Sequence, residues 1–391
     1  MKPQLIVFGE DWGGLPSSTQ HIIKVMATQY EVTWVNSLGL RTPKVNWHDA
    51  KRVFNKLGRM CRQLLSTQAP REVQKQTVDV ITNNSFNVVE PQYLPFLGSS
   101  LARKINRFLL YRLLKRNVRA SGHSARPVIW ISLPNAVDAL YYIHNTGLVD
   151  PVILYYCCDD FSSLAGVDHD AVSRFEAELA QQAGLIVATS DKLVDKFPSG
   201  KTHLVPHGVD TRLFYTPCDK AADLPQGKPV AGFYGSIASW IDLALMYDLA
   251  RLMTDWNFVF VGAVKVDVTC LQSLENVYFL GEKPHTSLPG YSQHWQVSLL
   301  PFTLNEQIVA SNPLKLREYM ATGKPIVSVD FPQAQQYSRF VKITSGVDGF
   351  ARAIRATQSE TAEFGCLRQK TVANESWQSV AGKINGLIQA V

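Results

Sequence analysis

The sequence predicts an α/β protein made of two doubly wound parallel sheets, and three observations predict it. At 391 residues the chain exceeds what one hydrophobic core usually serves, so two domains are expected. Short β-branched and aromatic runs alternate with segments of helical spacing from one end to the other, the pattern of parallel sheets wrapped by helices. That alternation falls into two series, parted by a Pro- and charge-rich stretch at 216–229 that reads as a linker.

The strands of the first series are expected at 5–9, 32–35, 128–132, 152–156 and 185–189, and those of the second at 230–234, 258–262, 277–280, 297–301 and 326–329. The domains then run 1–215 and 216–368. A final segment, 369–391, carries Val380, Ile384 and Leu387 at helical spacing and is expected to cross back to the first domain. Too few apolar residues precede Glu10 and Asp11 for a secretory signal, and the longest apolar runs, such as 152–158, fall short of the ~20 residues of a spanning helix. A cytoplasmic protein without a membrane anchor is expected. The six cysteines show no C-x-x-C and no pairing with His at ligand spacing, so no metal is expected.

In doubly wound sheets ligands bind at the carboxyl ends of strands, which picks out the loops to read. After the strand at 297–301 comes a segment in which Ser311 and Asn312 are good N-caps, Pro313 suits the first helical position, and Gly323 with Pro325 ends the helix. Its N-terminus offers free amides and the positive dipole end to a phosphate. Lys315 adds a point charge for the same anion, and Glu318 can accept two hydrogen bonds from ribose hydroxyls. After the first strand, Gly13 and Gly14 let the backbone pass close to a sugar or phosphate, Ser17 to Thr19 cap the next helix, and His21 follows on it. The spacing is not G-x-G-x-x-G, so the dehydrogenase fingerprint is absent. Asp159 and Asp160 close the strand at 152–156; a carboxylate beside a second one has its pKa pushed up toward general-base use, and only one of two adjacent residues faces the site.

Charge is uneven. Residues 41–126 carry 17 Lys+Arg against four Asp+Glu. One basic amphipathic helix is expected at 51–65, with Val53, Leu57, Met60 and Leu64 opposite Lys51, Arg52, Arg59 and Arg62. A second, at 101–119, has one apolar stripe through Leu101, Ile105, Phe108, Leu109 and Leu113 and another through Leu110, Leu114 and Val118. Leu110 and Leu114, with Arg103, Lys104 and Arg107, are the residues assigned to a bilayer. Such a surface needs an acidic partner; the interleaved Leu, Ile and Phe favour anionic lipid over nucleic acid.

The run Pro313-Leu314-Lys315…Glu318…Ala321…Gly323-Lys324-Pro325 resembles the donor-binding helix of GT-B glycosyltransferases. Pro206-His207-Gly208-Val209-Asp210 with Phe214 resembles the segment before their second domain, 184–190 the last strand of the acceptor domain, and Phe233-Tyr234-Gly235-Ser236 the first strand and turn of the donor domain. The resemblance spans nearly the whole chain. It implies two Rossmann-like domains facing across a cleft and a nucleotide sugar, a UDP-sugar before others, bound by Gly235, Ser236, Ser311, Asn312, Leu314, Lys315 and Glu318. His285, in the loop 281–285, would lie near the base. It is closest to bacterial polysaccharide or teichuronic-acid-type enzymes of the family 4-like group, which implies metal-independent hexosyl transfer to a lipid-linked saccharide in cell-envelope or exopolysaccharide synthesis, at the inner face of the plasma membrane. Two departures stand out. Ala310 occupies the place of the first Glu of the paired-Glu motif, and 236–242 lacks the Arg and Lys that hold the diphosphate in many retaining members. The stereochemical outcome stays open. A nucleotide-sugar 2-epimerase on the same scaffold and a non-catalytic membrane adaptor are the alternatives.

Overall fold

The computed structural model describes residues 2–14, 16–40, 86–118, 126–163 and 167–391. The chain divides into two compact units. Unit 1 comprises Met1–Ala188, Leu193–Leu204 and Lys383–Val391, and unit 2 comprises Thr189–Lys192 and Val205–Gly382.

Unit 1 holds a seven-stranded parallel sheet of β1 (Gln4–Phe8), β2 (Glu31–Val35), β3 (Phe86–Val89), β4 (Val128–Ile131), β5 (Val152–Cys157), β6 (Leu185–Ala188) and β7 (Thr202–Leu204). Their order is β3-β2-β1-β4-β5-β6-β7. Central strands such as β4 (VIWI) and β6 (LIVA) are buried along their whole length, as a sheet covered on both faces requires. The longer helices α1 (Ser18–Met26), α2 (Ser100–Asn117) and α3 (His169–Gln182) each begin at a residue whose side chain accepts a first-turn amide: Ser17, Ser99 and Asp168.

Unit 2 repeats the plan with β8 (Val230–Tyr234), β9 (Asn257–Val261), β10 (Val277–Phe279), β11 (Val297–Leu300), β12 (Ile326–Ser328) and β13 (Val341–Ile343), in the order β10-β9-β8-β11-β12-β13. Its longer helices are α4 (Leu243–Leu252), α5 (Leu314–Thr322), α6 (Gly346–Ala356) and α7 (Ala362–Val372). Helix α8 (Trp377–Ala390) starts in unit 2 and ends in unit 1, where Tyr30 donates to Asn385 at 2.6 Å. Its buried stripe runs through Val380, Ile384 and Ile388, with Leu387 only half-buried. In both sheets the strand order reverses beside the first strand, so each unit has a crevice outside the carboxyl ends of β1 and β4 or of β8 and β11.

The ten expected strands are present, and the sheets add β3, β7 and β13 at their edges. The chain passes between units at Leu204 and Val205, not at 215. Residues 205–215 pack with unit 2, where Val209 pairs with Ser376 and Phe214 is buried against Tyr234. Nor is 216–229 a free linker: Leu224 is buried, and Asp223 accepts from Lys283 and Tyr291, both at 2.6 Å.

On α2 the expected bilayer face is overturned. Leu110 is 0% and Leu114 1% exposed, because that stripe belongs to the core of unit 1. Arg103 and Arg107 bond Asp138 at 2.7 and 3.0 Å and reach Glu178 as well, so their charges are met internally. Lys104 is exposed. Lys51, Arg52, Arg59 and Arg62 lie outside the described residues.

Candidate functional site

At the crevice of unit 2, Gly235 follows β8 and Gly262 follows β9, both with positive φ (122° and 143°). The two turns touch, for the Gly235 amide donates to the Val261 carbonyl at 2.8 Å and a Cβ on Gly262 would strike the Gly235 carbonyl. A Cβ on Gly235 would come within 3.2 Å of Lys315 Nζ, so the missing side chain makes room for that cation. Ser236 continues the turn, half-buried.

Helix α5 begins one residue later than its caps predicted. Pro313 is the N-cap and offers no side-chain acceptor. Ser311 instead bonds the Ile308 carbonyl at 2.8 Å. Asn312 caps no first-turn amide; it donates to the Thr189 carbonyl at 2.5 Å and accepts from Arg317 within the helix. The amides of Leu314 and Lys315 therefore have no acceptor among the described residues. That leaves an uncapped helix end, whose free amides can hold an anion.

Lys315 has no hydrogen-bond or ion-pair partner among the described residues; its ammonium lies 5.4 Å from the Phe233 ring centroid and 5.9 Å from that of Phe302. Burial pushes its pKa below the ordinary lysine range, opposed only by Glu318. Glu318 is buried, with Oε2 accepting from Tyr234 at 2.7 Å and Oε1 2.7 Å from His285 Nε2. Burial alone would raise this carboxyl, but the His285 and Tyr234 bonds and the Lys315 charge hold it below its usual value. His285 thus sits on the carboxylate, edge-on to Phe214 at 5.5 Å.

In unit 1 the structure separates the two aspartates. Asp160 is buried, bonded by Lys196 at 2.6 Å and by Ser162 at 2.6 Å. Burial by itself would raise it, yet these bonds outweigh burial and hold it at about 2. Lys196 also reaches Glu176 at 3.0 Å, which accepts from Tyr155. Asp160 is therefore engaged by an internal ion pair and a hydroxyl. Asp159 keeps an exposed edge, while the protein packed around it raises its pKa, opposed by the Cys158 thiol and reinforced by Asp160. The carboxylate that shares its field from another strand end is Glu10, after β1, itself raised by burial and by the charges of Asp159 and Asp11. Glu10 accepts from Ser17 at 3.0 Å. Gly13 has a positive φ of 79°, Gly14 closes a turn on the Asp11 carbonyl at 3.1 Å, and His21 lies half-buried on α1. Among the described residues no three His, Cys, Asp or Glu gather as metal ligands.

Sequence reasoning missed Glu10, Tyr234, Gly262 and Arg317. Gly262 carried a legible signal, a glycine directly after an apolar strand. Arg317 carried none: it is 1% exposed inside α5, bonded to Asn312 and, at 2.6 Å, to Glu375, which also accepts from Tyr337 at 2.7 Å.

Residues 228–360 match the family described as glycosyl transferases group 1. Over 257 residues, 60% of this chain, the sequence is 28% identical to TuaH of Bacillus subtilis (strain 168), named for teichuronic acid biosynthesis as a glycosyltransferase. The match spans 63% of that relative's length, under two thirds of it. Among solved structures the chain is similar to Anabaena HepE in complex with UDP and glucose, with a TM-score of 0.67 at 13% identity over all of both chains. It is similar also to sucrose-phosphate synthase from Thermosynechococcus elongatus, with a TM-score of 0.68 at 12% identity over 100% of this chain and 99% of that one. The fold is GT-B.

Proposed function

We propose, for a GT-B chain whose residues 228–360 are a glycosyltransferase group 1 domain, that it moves a hexose from a UDP-sugar to a hydroxyl of a lipid-linked saccharide in cell-envelope polysaccharide synthesis. The observation that carries this reading is Lys315, a half-buried cation with no hydrogen-bond or ion-pair partner among the described residues, beside two open helix amides and the Gly235 turn. A diphosphate supplies the charge that cation lacks, and ribose hydroxyls supply Glu318 with donors in place of His285 and Tyr234. HepE, whose structure holds UDP and glucose, and TuaH, named for an envelope polymer, support the donor and the setting.

In the reaction the acceptor oxygen bonds to the anomeric carbon, the bond from that carbon to the diphosphate breaks, and UDP leaves. The hydroxyl proton passes to Asp159 when the configuration inverts. Lys315 and the α5 amides neutralise the leaving diphosphate, so turnover needs no metal and persists in a chelator. We place the enzyme at the cytoplasmic face of the membrane, held there peripherally; no helix among the described residues is long and apolar enough to cross one.

A thermal-shift panel of UDP-, GDP- and dTDP-sugars tests this. A UDP-sugar at a hundredfold excess over its Kd should stabilise by about 2.7 kcal/mol. No shift with any of them would sink the proposal. Donor consumption without acceptor, giving an epimerised nucleotide sugar, would return the epimerase reading.

A further inference from the structure

We propose that the solvent stripe of α2 is a docking surface for an anionic lipid bilayer, with Leu101, Ile105 and Phe108 entering the interface. This deepens the membrane part of the reading above but rests on the surface of unit 1 alone. The opposite side of α2 is committed to the core through Ala102, Asn106, Leu109, Leu110, Leu113 and Leu114. What faces water repeats at helical spacing as Leu101, Ile105, Phe108, Arg112 and Lys115, with Leu101 67% and Phe108 51% exposed. Phe96, in the loop before the helix, is exposed too.

A helix that meets only water usually shows charges of both signs there. This one shows none that is acidic, and no Asp or Glu occurs between Glu90 and Asp138. Asp138 and Glu178 are occupied by Arg103 and Arg107, so Lys104, Arg112, Lys115 and Arg116 keep no ion pair among the described residues. Beside the stripe runs a chain of rings, Phe108 to Tyr111 at 6.5 Å, Tyr111 to Tyr142 at 5.7 Å and Tyr142 to Tyr141 at 4.7 Å. Tyrosine rings with apolar bodies and polar tips belong at the headgroup level of a bilayer. A cavity of about 310 Å³ adjoins the start of α2, lined by Ser99, Ser100, Arg103, Arg174 and Phe175. Arg174 has no partner among the described residues, so the cavity can receive a headgroup phosphate.

The chemistry selects one occupant. A second copy of the chain would set basic stripe against basic stripe. Nucleic acid would satisfy the cations but leave Leu101, Ile105 and Phe108 in water, whereas an anionic interface takes both.

Co-sedimentation of the full chain with phosphatidylcholine vesicles, with and without phosphatidylglycerol, tests the proposal. Binding should require phosphatidylglycerol and weaken with salt. Each of Lys104→Ala and Arg112→Ala should lower partitioning about fivefold, and Leu101→Ser with Phe108→Ser roughly tenfold. These substitutions, at exposed Leu101, Lys104 and Phe108 and at half-buried Arg112, should keep the wild-type melting temperature and its shift with UDP-glucose. Unchanged partitioning in every variant, equal binding to neutral vesicles, or tighter capture of a short RNA duplex by the same residues would overturn it. Failure of every UDP-, GDP- and dTDP-sugar to bind, with intact, variant-sensitive vesicle binding, would remove the transferase reading and leave this one standing.

Discussion

Lys315 combines two properties that pull against each other: it is partly desolvated with no ion pair among the described residues, and it stands where an anionic ligand would be worth most. Replacing it by Met should therefore raise the apo melting temperature of unit 2, by about 2–4 °C for each kcal/mol of relieved desolvation. The same change should weaken UDP-sugar binding roughly 10- to 100-fold, the worth of a charge-assisted hydrogen bond. Calorimetric melting with and without donor reads both, and a variant that loses apo stability or keeps full affinity would remove Lys315 from the site. The two aspartates should part in the same manner. Asp159→Asn should cut turnover roughly 10²- to 10⁴-fold while sparing donor affinity and stability. Asp160→Asn should destabilise unit 1, because it breaks the bond to Lys196 that also serves Glu176. Turnover lost in the Asp160 variant alone, with stability intact, would reverse the assignment. The sequence offered this pair as equals; the Lys196 that separates them lies 36 residues away.

Helix α5 was legible as an element and misread at its first turn. Its C-terminal stop at Gly323, with φ of 76°, follows from composition alone, since only glycine takes that conformation without strain. Its start depends on a neighbour. Asn312 has the chemistry of an N-cap but spends it on the Thr189 carbonyl and on Arg317, and this diversion is what leaves the helix amides open. Arg317→Met strands Glu375 and Asn312 together, so unit 2 should lose about 3–5 kcal/mol and donor affinity should fall with it. Arg317→Lys keeps the charge without the planar fork and should recover stability more than affinity. Chemical denaturation and donor titration of both variants decide this; affinity equal to wild type in Arg317→Met would detach the Asn312–Arg317–Glu375 contacts from the site. The edge strands escaped the sequence for a related reason. With one side unpaired, β3 and β13 lack the buried apolar run that marks central strands.

For the whole molecule, the two units should respond differently to acid. In unit 2, burial and the nearby Arg317 hold His207 at about 3, and Glu318 is also below its ordinary value. A depressed pKa contributes stability that is complete above the unfolded value and fades as pH falls toward the folded one, so His207 withdraws support between about 6.5 and 3. In unit 1, Asp160 is depressed, but Glu10, Asp138 and Asp159 are raised, and raised carboxyls bind protons more readily folded than unfolded. Hydrogen exchange along an acid series should show unit 2 losing protection at higher pH than unit 1; the opposite order would refute the charge bookkeeping. What the sequence determined by itself was the alternation of apolar runs and helical stripes, hence two doubly wound sheets, because burial periodicity is written residue by residue. It also marked the strand-end loops, hence Lys315 and Glu318, while the resemblance to GT-B glycosyltransferases added Gly235 to the same candidate site. Only the tertiary structure decided which stripe of α2 meets the core, which aspartate is neutralised, and that Glu10 stands in the field of Asp159. Those outcomes depend on contacts between residues far apart in the chain, and a linear pattern fixes a side chain's periodicity without naming the partner across the fold.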